Sequence, residues 1–157
     1  MTKAIRVHTP GPPSCMKWED IDMPEPAKDQ VRIRNTAVGL NFIDTYHRKG
    51  MYPLPTPFTP GMEGAGVIDA VGPGVTRVKP GDRVTYASEP MGSYAEMRLF
   101  PAQRVMKIPA GISDEQAASM MLKGMTAAML LRRIWRPKKG DTVLIHAAAG
   151  GVGLILC

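Results

Sequence analysis

Cysteine is nearly absent from this sequence: Cys15 and Cys157 are the only two among 157 residues. That excludes a disulfide framework and a tetrahedral zinc site built mainly from thiolates, and both are expected to be free thiols. Long apolar runs are missing too. No stretch approaches the roughly 18 consecutive apolar residues of a membrane span, and the N-terminus MTKAIRVH lacks an apolar stretch of signal-peptide length, so the expected location is the cytoplasm, with no membrane partner. There is no internal repeat and no low-complexity tract. The 15 prolines and 16 glycines stand singly between apolar segments, as punctuation of structure.

What is present is an ordinary globular mixture, 44% apolar and 22% charged, enough to bury one core. Twenty basic residues against 14 acidic ones give a net charge of +6. That excess suits an anionic cofactor or a nucleic acid, or reflects half of a larger charge distribution.

From Lys3 to Phe100 short alternating or β-branched segments are each closed by Pro, Gly or Asp, the pattern of a many-stranded barrel or sandwich. Strands are expected at Ala4 to His8, Lys17 to Ile21, Val31 to Val38, Gly64 to Val71, Arg83 to Ala87 and Ser93 to Leu99. In Val31-Arg32-Ile33-Arg34 branched residues alternate with arginines, so one face can be buried while the other stays wet. After Pro109 the regime changes. Ser113 and Gln116 have capping-box spacing and open an Ala/Met/Leu-rich helical stretch to Trp135, in which Gly124 is a candidate break. Arg132, Arg133 and Arg136 fall near its end, where cations suit the helix dipole; reading them as a nucleic-acid patch is the weaker alternative.

Thr142-Val143-Leu144-Ile145-His146 then reads as a parallel strand buried on both faces, with His146 a packed core histidine. It runs into Ala147-Ala148-Ala149-Gly150-Gly151-Val152-Gly153 and an apolar helical turn. Strand, glycine turn, helix is the context in which a glycine fingerprint acquires meaning: the glycines permit a tight turn and let the backbone approach a pyrophosphate. Measured against G-x-G-x-x-G the match departs at the first position, Ala148, and a packing turn without ligand remains open. The sequence stops with one buried-type strand and no completed crossover, so a fragment of a longer protein is expected.

Four blocks together resemble the successive signatures of quinone oxidoreductases, the zeta-crystallin-like, zinc-independent branch of the medium-chain dehydrogenase/reductases. They are Asn41 to Tyr52, Pro60 to Val67, Leu122 to Ala127, and Ala148 to Gly153, in that order. The resemblance implies a mixed β and α/β fold, a GroES-like β-barrel domain followed by the start of a Rossmann domain. The expected division is residues 1–125 and 126–157. It also implies that the barrel is completed by later chain.

Where zinc relatives place a cysteine ligand this sequence has Asn41, and where they place the histidine of Gly-His-Glu it has Met62. His8, His47 and His146 show no metal spacing, so no zinc is expected. Without a Lewis acid the chemistry shifts from alcohol oxidation toward an acceptor that takes hydride readily, and a quinone meets that demand. The resemblance places Asn41, Tyr46, Tyr52 and Thr126 in the catalytic cleft. It assigns Asn41, Lys123, Thr126, Ala148, Gly150, Gly151, Val152 and Gly153 to the cofactor.

Asn41 and Tyr52 are expected to orient cofactor or quinone through neutral hydrogen bonds. Asp44 is expected to anchor its own helix, Glu63 to be a buried hydrogen-bonding residue, and Phe42 and Met125 to lie in the core. NADPH in preference to NADH, and a homodimer, follow from the resemblance alone, because the residues that read the ribose fall about 20 positions beyond the glycine turn. Little or no activity is expected of the 157 residues by themselves. Reduction of activated C=C bonds is the competing enzymatic reading, and a crystallin-like or RNA-binding role the competing non-enzymatic one.

Overall fold

The computed structural model describes residues 1–157. Strands β1 (Thr2–Val7) and β2 (Met16–Ile21) form an antiparallel pair, with Thr2 opposite Ile21 and Val7 opposite Met16. Ala4 and Val7 of β1 are fully buried, and single bridges from Ala4 to Ala95 and from Val7 to Phe58 tie the pair to the segments that lead into two strands of the larger sheet.

That sheet has five strands: β3 (Gln30–Gly39), β4 (Glu63–Val71), β5 (Arg83–Ala87), β6 (Met97–Pro101) and β7 (Met106–Lys107). Their order is β6-β3-β4-β5-β7, and every pairing is antiparallel. Period-two alternation decides the faces. Val31 and Ile33 bury completely with Ile68, Val84, Tyr86 and Phe100. Arg32 and Arg34 point the other way and both grip Asp69 on β4, at 2.6 and 2.8 Å. The Arg32 hydrogen bond, more than any other influence, holds the Asp69 carboxyl below its usual range.

Helix α1 (Phe42–Lys49) bridges β3 and β4, opening at Asn41 and closing at Gly50, whose φ of 78° is the left-handed C-cap conformation. Helix α2 (Asp114–Met129) opens with the expected capping box: Gln116 N–H donates to Ser113 Oγ at 3.2 Å, and Ser113 N–H donates to Gln116 Oε1 at 2.9 Å. Asp114 in its first turn accepts from Thr36 on β3 and Arg83 on β5, which pins the helix across the sheet. Ala117 and Ala118 pack on Ala65 and Ile108 as a second small core. A four-residue helix α3 (Gly153–Leu156) follows the glycine turn.

Several expectations need correction. Residues 142–146 form no strand, Leu144 is 82% exposed and His146 is not buried, because a parallel strand exists only when neighbours satisfy its backbone and cover both faces. Gly124 does not split the helix; α2 runs unbroken through it and ends in a wider π turn at Leu130–Ile134. Phe42 and Met125 are 74% and 42% exposed, each on the outer side of its helix. Strand β6 starts later than Ser93, because Ser93 and Tyr94 direct their N–H groups to the carbonyls of Gly61 and Pro60 instead of a ladder.

Candidate functional site

Asn41 follows β3 and caps α1, and it is buried. Its side-chain Nδ2 donates to Glu63 Oε2 at 2.7 Å. Glu63 opens β4 with no exposed surface, and its other oxygen, Oε1, accepts the backbone N–H of Leu122 in α2 at 2.8 Å. The Lys123 ammonium stands 3.9 Å from Glu63 Oε2. One carboxyl group thus joins the start of α1, the start of β4 and the middle of α2. The approach is possible because Gly39 lacks a side chain: a Cβ there would stand 2.8 Å from Glu63 Cδ, and closer to Glu63 Oε2 and the Ala118 carbonyl.

Lys123 carries the line onward. Its methylenes lie over the glycine turn, so a Cβ at Gly151 would stand 2.6 Å from Lys123 Cδ. Gly153 is tighter and meets backbone: a Cβ would come within 2.6 Å of Ala148 Cα and O. Here absence of a side chain lets α3 start directly above the turn residues Ala147 and Ala148. Ala148, Gly150 and Gly151 are exposed, Val152 is half-buried and Gly153 buried. Residues from three distant segments, Asn41, Lys123 and the glycine turn, therefore form one contiguous line through Glu63.

The tyrosines form a separate group on α1 and the loop after it. Tyr46 meets the edge of Tyr52 with ring centres 5.6 Å apart, and Phe42 meets Tyr46 at 5.3 Å. Tyr52 is half-exposed on a loop that continues through Pro53 to Pro55. No hydrogen bond or ring contact links this group to Glu63; the two share only α1. Thr126 lies one helical turn beyond Leu122 and donates its hydroxyl to the Leu122 carbonyl at 2.9 Å. Asp44 anchors its helix as expected, accepting the Asn41 N–H at 3.0 Å. It also receives the Tyr94 hydroxyl at 2.8 Å. Burial first, and then the neighbouring Asp44, push the Tyr94 hydroxyl well above the ordinary tyrosine range.

Sequence reasoning missed Gly39, Tyr94 and Arg98. A lone glycine at a strand end was the one available signal for Gly39. Nothing local marks Tyr94 or Arg98, whose roles depend on distant partners. Arg98 is 4% exposed, lies over the packed rings of Tyr86 and Phe100, and donates to Ser93 Oγ and the Pro90 carbonyl, so it fixes the loop at residues 88–93. Burial lowers its affinity for its proton from the usual arginine value. No group of three or more His, Cys, Asp or Glu side chains is arranged to hold a metal ion. No helix is long and apolar enough to cross a membrane.

The alcohol dehydrogenase GroES-like domain pattern matches residues 27–110, which hold β3 through β7 and the Asn41–Glu63 pair. The chain belongs to this family. Within the medium-chain dehydrogenase/reductases it is similar to a quinone oxidoreductase of Pseudomonas aeruginosa, 49% identical over all of this chain and 49% of the relative. It is similar also to a 2-haloacrylate reductase of Burkholderia sp, 46% identical over 99% of this chain and 49% of the relative. The Escherichia coli quinone oxidoreductase in complex with NADPH has the same fold, with a TM-score of 0.95 and 43% identity over 99% of this chain and 48% of that one. The chain spans about half the length of the curated relatives it matches.

Proposed function

We propose that the longest protein carrying these 157 residues is a zinc-independent, NADPH-dependent quinone reductase. In this reading residues 1–125 form its barrel domain and 126–157 begin its nucleotide domain. The observation that supports this best is the line from Asn41 through Glu63 and Lys123 to Gly151, which unites the segments expected to hold a nicotinamide nucleotide. Bound NADPH would supply the hydride, and the chain's own residues bind, orient and exclude water.

The donor set suits such a group. Gly150, Gly151 and Gly153 form a turn without side chains at the start of α3, where exposed backbone N–H groups can meet a pyrophosphate, and Lys123 brings a cation beside that turn. Asn41 offers neutral hydrogen bonding near the reacting rings, Thr126 lies a turn from Lys123, and the Tyr46–Tyr52 pair forms an aromatic wall against which a flat acceptor can lie. Ala148 and Val152 flank the turn. Asn41 and Met62 stand where a zinc site would need cysteine and histidine, which supports hydride transfer without a metal. A homodimer and a cytoplasmic location belong to the same reading.

The 2-haloacrylate reductase relative supports a second reading, reduction of electron-poor C=C bonds at the same site. The test is NADPH oxidation by the purified protein across simple quinones, 2-haloacrylates and enals, with and without a chelator. Chelator-resistant turnover of quinones is expected. Turnover of the alkenes alone would replace the quinone assignment with the second reading, and loss of activity on chelation would overturn the metal-free mechanism.

A further inference from the structure

We propose that Glu63 is a positioning residue that fixes which way the Asn41 amide faces, so that Asn41 meets a bound ligand with its carbonyl oxygen, as a hydrogen-bond acceptor. An asparagine side chain can present either end, and its two orientations are nearly identical in shape. The neighbour decides. Glu63 Oε2, 2.7 Å from Asn41 Nδ2, can only accept when the carboxyl group is ionised, so the NH2 end must face it. Glu63 has no freedom to offer the alternative: Oε1 is held by the Leu122 N–H at 2.8 Å, and Gly39 and the Ala118 carbonyl enclose the group. The Lys123 ammonium stands on the same side, 3.9 Å from Oε2. Asn41 is left with one N–H and with Oδ1, which faces the Asp44 N–H in the capping box of α1 and keeps a second lone pair, so a ligand amide or hydroxyl donor is preferred over a ligand acceptor.

The pairing predicts an unusual outcome for Glu63→Gln. The carbonyl oxygen of the substituted side chain must remain on the Leu122 N–H, because that donor has no other side-chain partner. The new NH2 then faces Asn41, and two donors cannot pair. Asn41 resolves the conflict by turning its amide over, which satisfies the pair with residue 63 but presents NH2 where the acceptor had been, toward the ligand side and the Asp44 N–H. Adding Asn41→Asp to Glu63→Gln reverses donor and acceptor across the pair, keeps its net charge, and returns an acceptor oxygen to the ligand side. Asn41→Asp alone sets two carboxyl groups at hydrogen-bond distance.

The experiment measures Kd for NADPH and thermal stability on the longest protein carrying these residues, for wild type, E63Q, N41D and the double variant. The choice of NADPH as probe rests on the proposed function. E63Q is expected to melt within a few degrees of wild type yet bind NADPH about tenfold or more weakly, from the mismatch of one hydrogen bond. The double variant is expected to recover most of that loss. Unchanged NADPH affinity in E63Q, or a double variant no tighter than E63Q, would overturn the proposal. A second measurement stands apart from the cofactor: with 15N-asparagine labelling, the Asn41 side-chain NH2, identified by its loss in N41D, is expected to exchange slowly in wild type and quickly in E63Q. Equal exchange in both rejects the positioning role even if no NADPH binds, whereas absence of NADPH binding with the expected exchange difference rejects only the cofactor reading.

Discussion

Gly39→Ala isolates the cost of closing the gap between the sheet and α2. A Cβ at this position would stand 2.8 Å from Glu63 Cδ, where ordinary contact begins near 3.4 Å, and nearer still to Glu63 Oε2 and the Ala118 backbone carbonyl. Something must move by at least about half an ångström, and none of these neighbours can do so cheaply. The Glu63 oxygens are held by Asn41 and Leu122, and the Ala118 carbonyl belongs to a helix whose start is tied to Thr36 and Arg83. Overpacking of this kind costs about 1–3 kcal/mol, and parting Glu63 from one of its buried donors adds about 1–3 kcal/mol. The opposing gain from a less flexible unfolded chain is only about 0.4–1 kcal/mol, because Gly39 has no left-handed φ to strain an alanine. A net loss of about 1–5 kcal/mol is expected from denaturant unfolding. Gly124→Ala is the control: the same change inside α2, with only Met120 Cε at 4.0 Å, is expected to stabilise by about 0.5–1 kcal/mol. If Gly39→Ala were neutral or stabilising, the close seating of α2 on Glu63 would be refuted.

Four further outcomes are expected. Gly153→Ala should cost about 1–3 kcal/mol and loosen nucleotide binding, since the new atom meets the backbone of Ala147 and Ala148; unchanged unfolding and unchanged NADPH affinity would remove the packing argument. Tyr94→Phe loses one hydrogen bond to Asp44, about 1 kcal/mol. Because the folded Tyr94 hydroxyl is raised above its unfolded value of about 10, that advantage of wild type is complete below about pH 10 and fades as pH rises toward the folded value, so pH-resolved unfolding of both proteins should converge at high pH. Asp69 is depressed, chiefly by the Arg32 hydrogen bond, so its contribution is present above about pH 4 and is lost as pH falls through the folded value. Asp69→Asn should therefore be less stable than wild type at neutral pH and should approach it as acid protonates the folded Asp69; a difference that persists in strong acid would contradict the assignment. Arg98→Met, which keeps bulk over the Tyr86 and Phe100 rings but leaves Ser93 and the Pro90 carbonyl without their donor, should cost about 2–4 kcal/mol and open the loop at residues 88–93 to protease.

Locally encoded features were legible in the sequence. Alternation in Val31-Arg32-Ile33-Arg34 fixes which side of β3 is buried, and the Ser113–Gln116 spacing fixes where α2 begins, because both depend on residues within a turn or a pleat of one another. The four signature blocks pointed to the family, and the candidate residues around Asn41 and Lys123 do come together. The pattern failed at residues 142–146, where the apolar run has the composition of a strand but no partner strand to pair with.

The roles of individual polar groups were settled only by tertiary structure. Nothing near Glu63 in sequence says that its two oxygens meet Asn41, 22 residues away, and Leu122, 59 residues away, or that Gly39 makes room for them. Arg98 likewise reads as a surface charge on an edge strand until Tyr86 and Phe100 enclose it. Periodicity and caps are short-range and so are written in adjacent residues, whereas the satisfaction of a buried hydrogen-bonding group is a property of whichever distant segments the fold brings within about 3 Å of it.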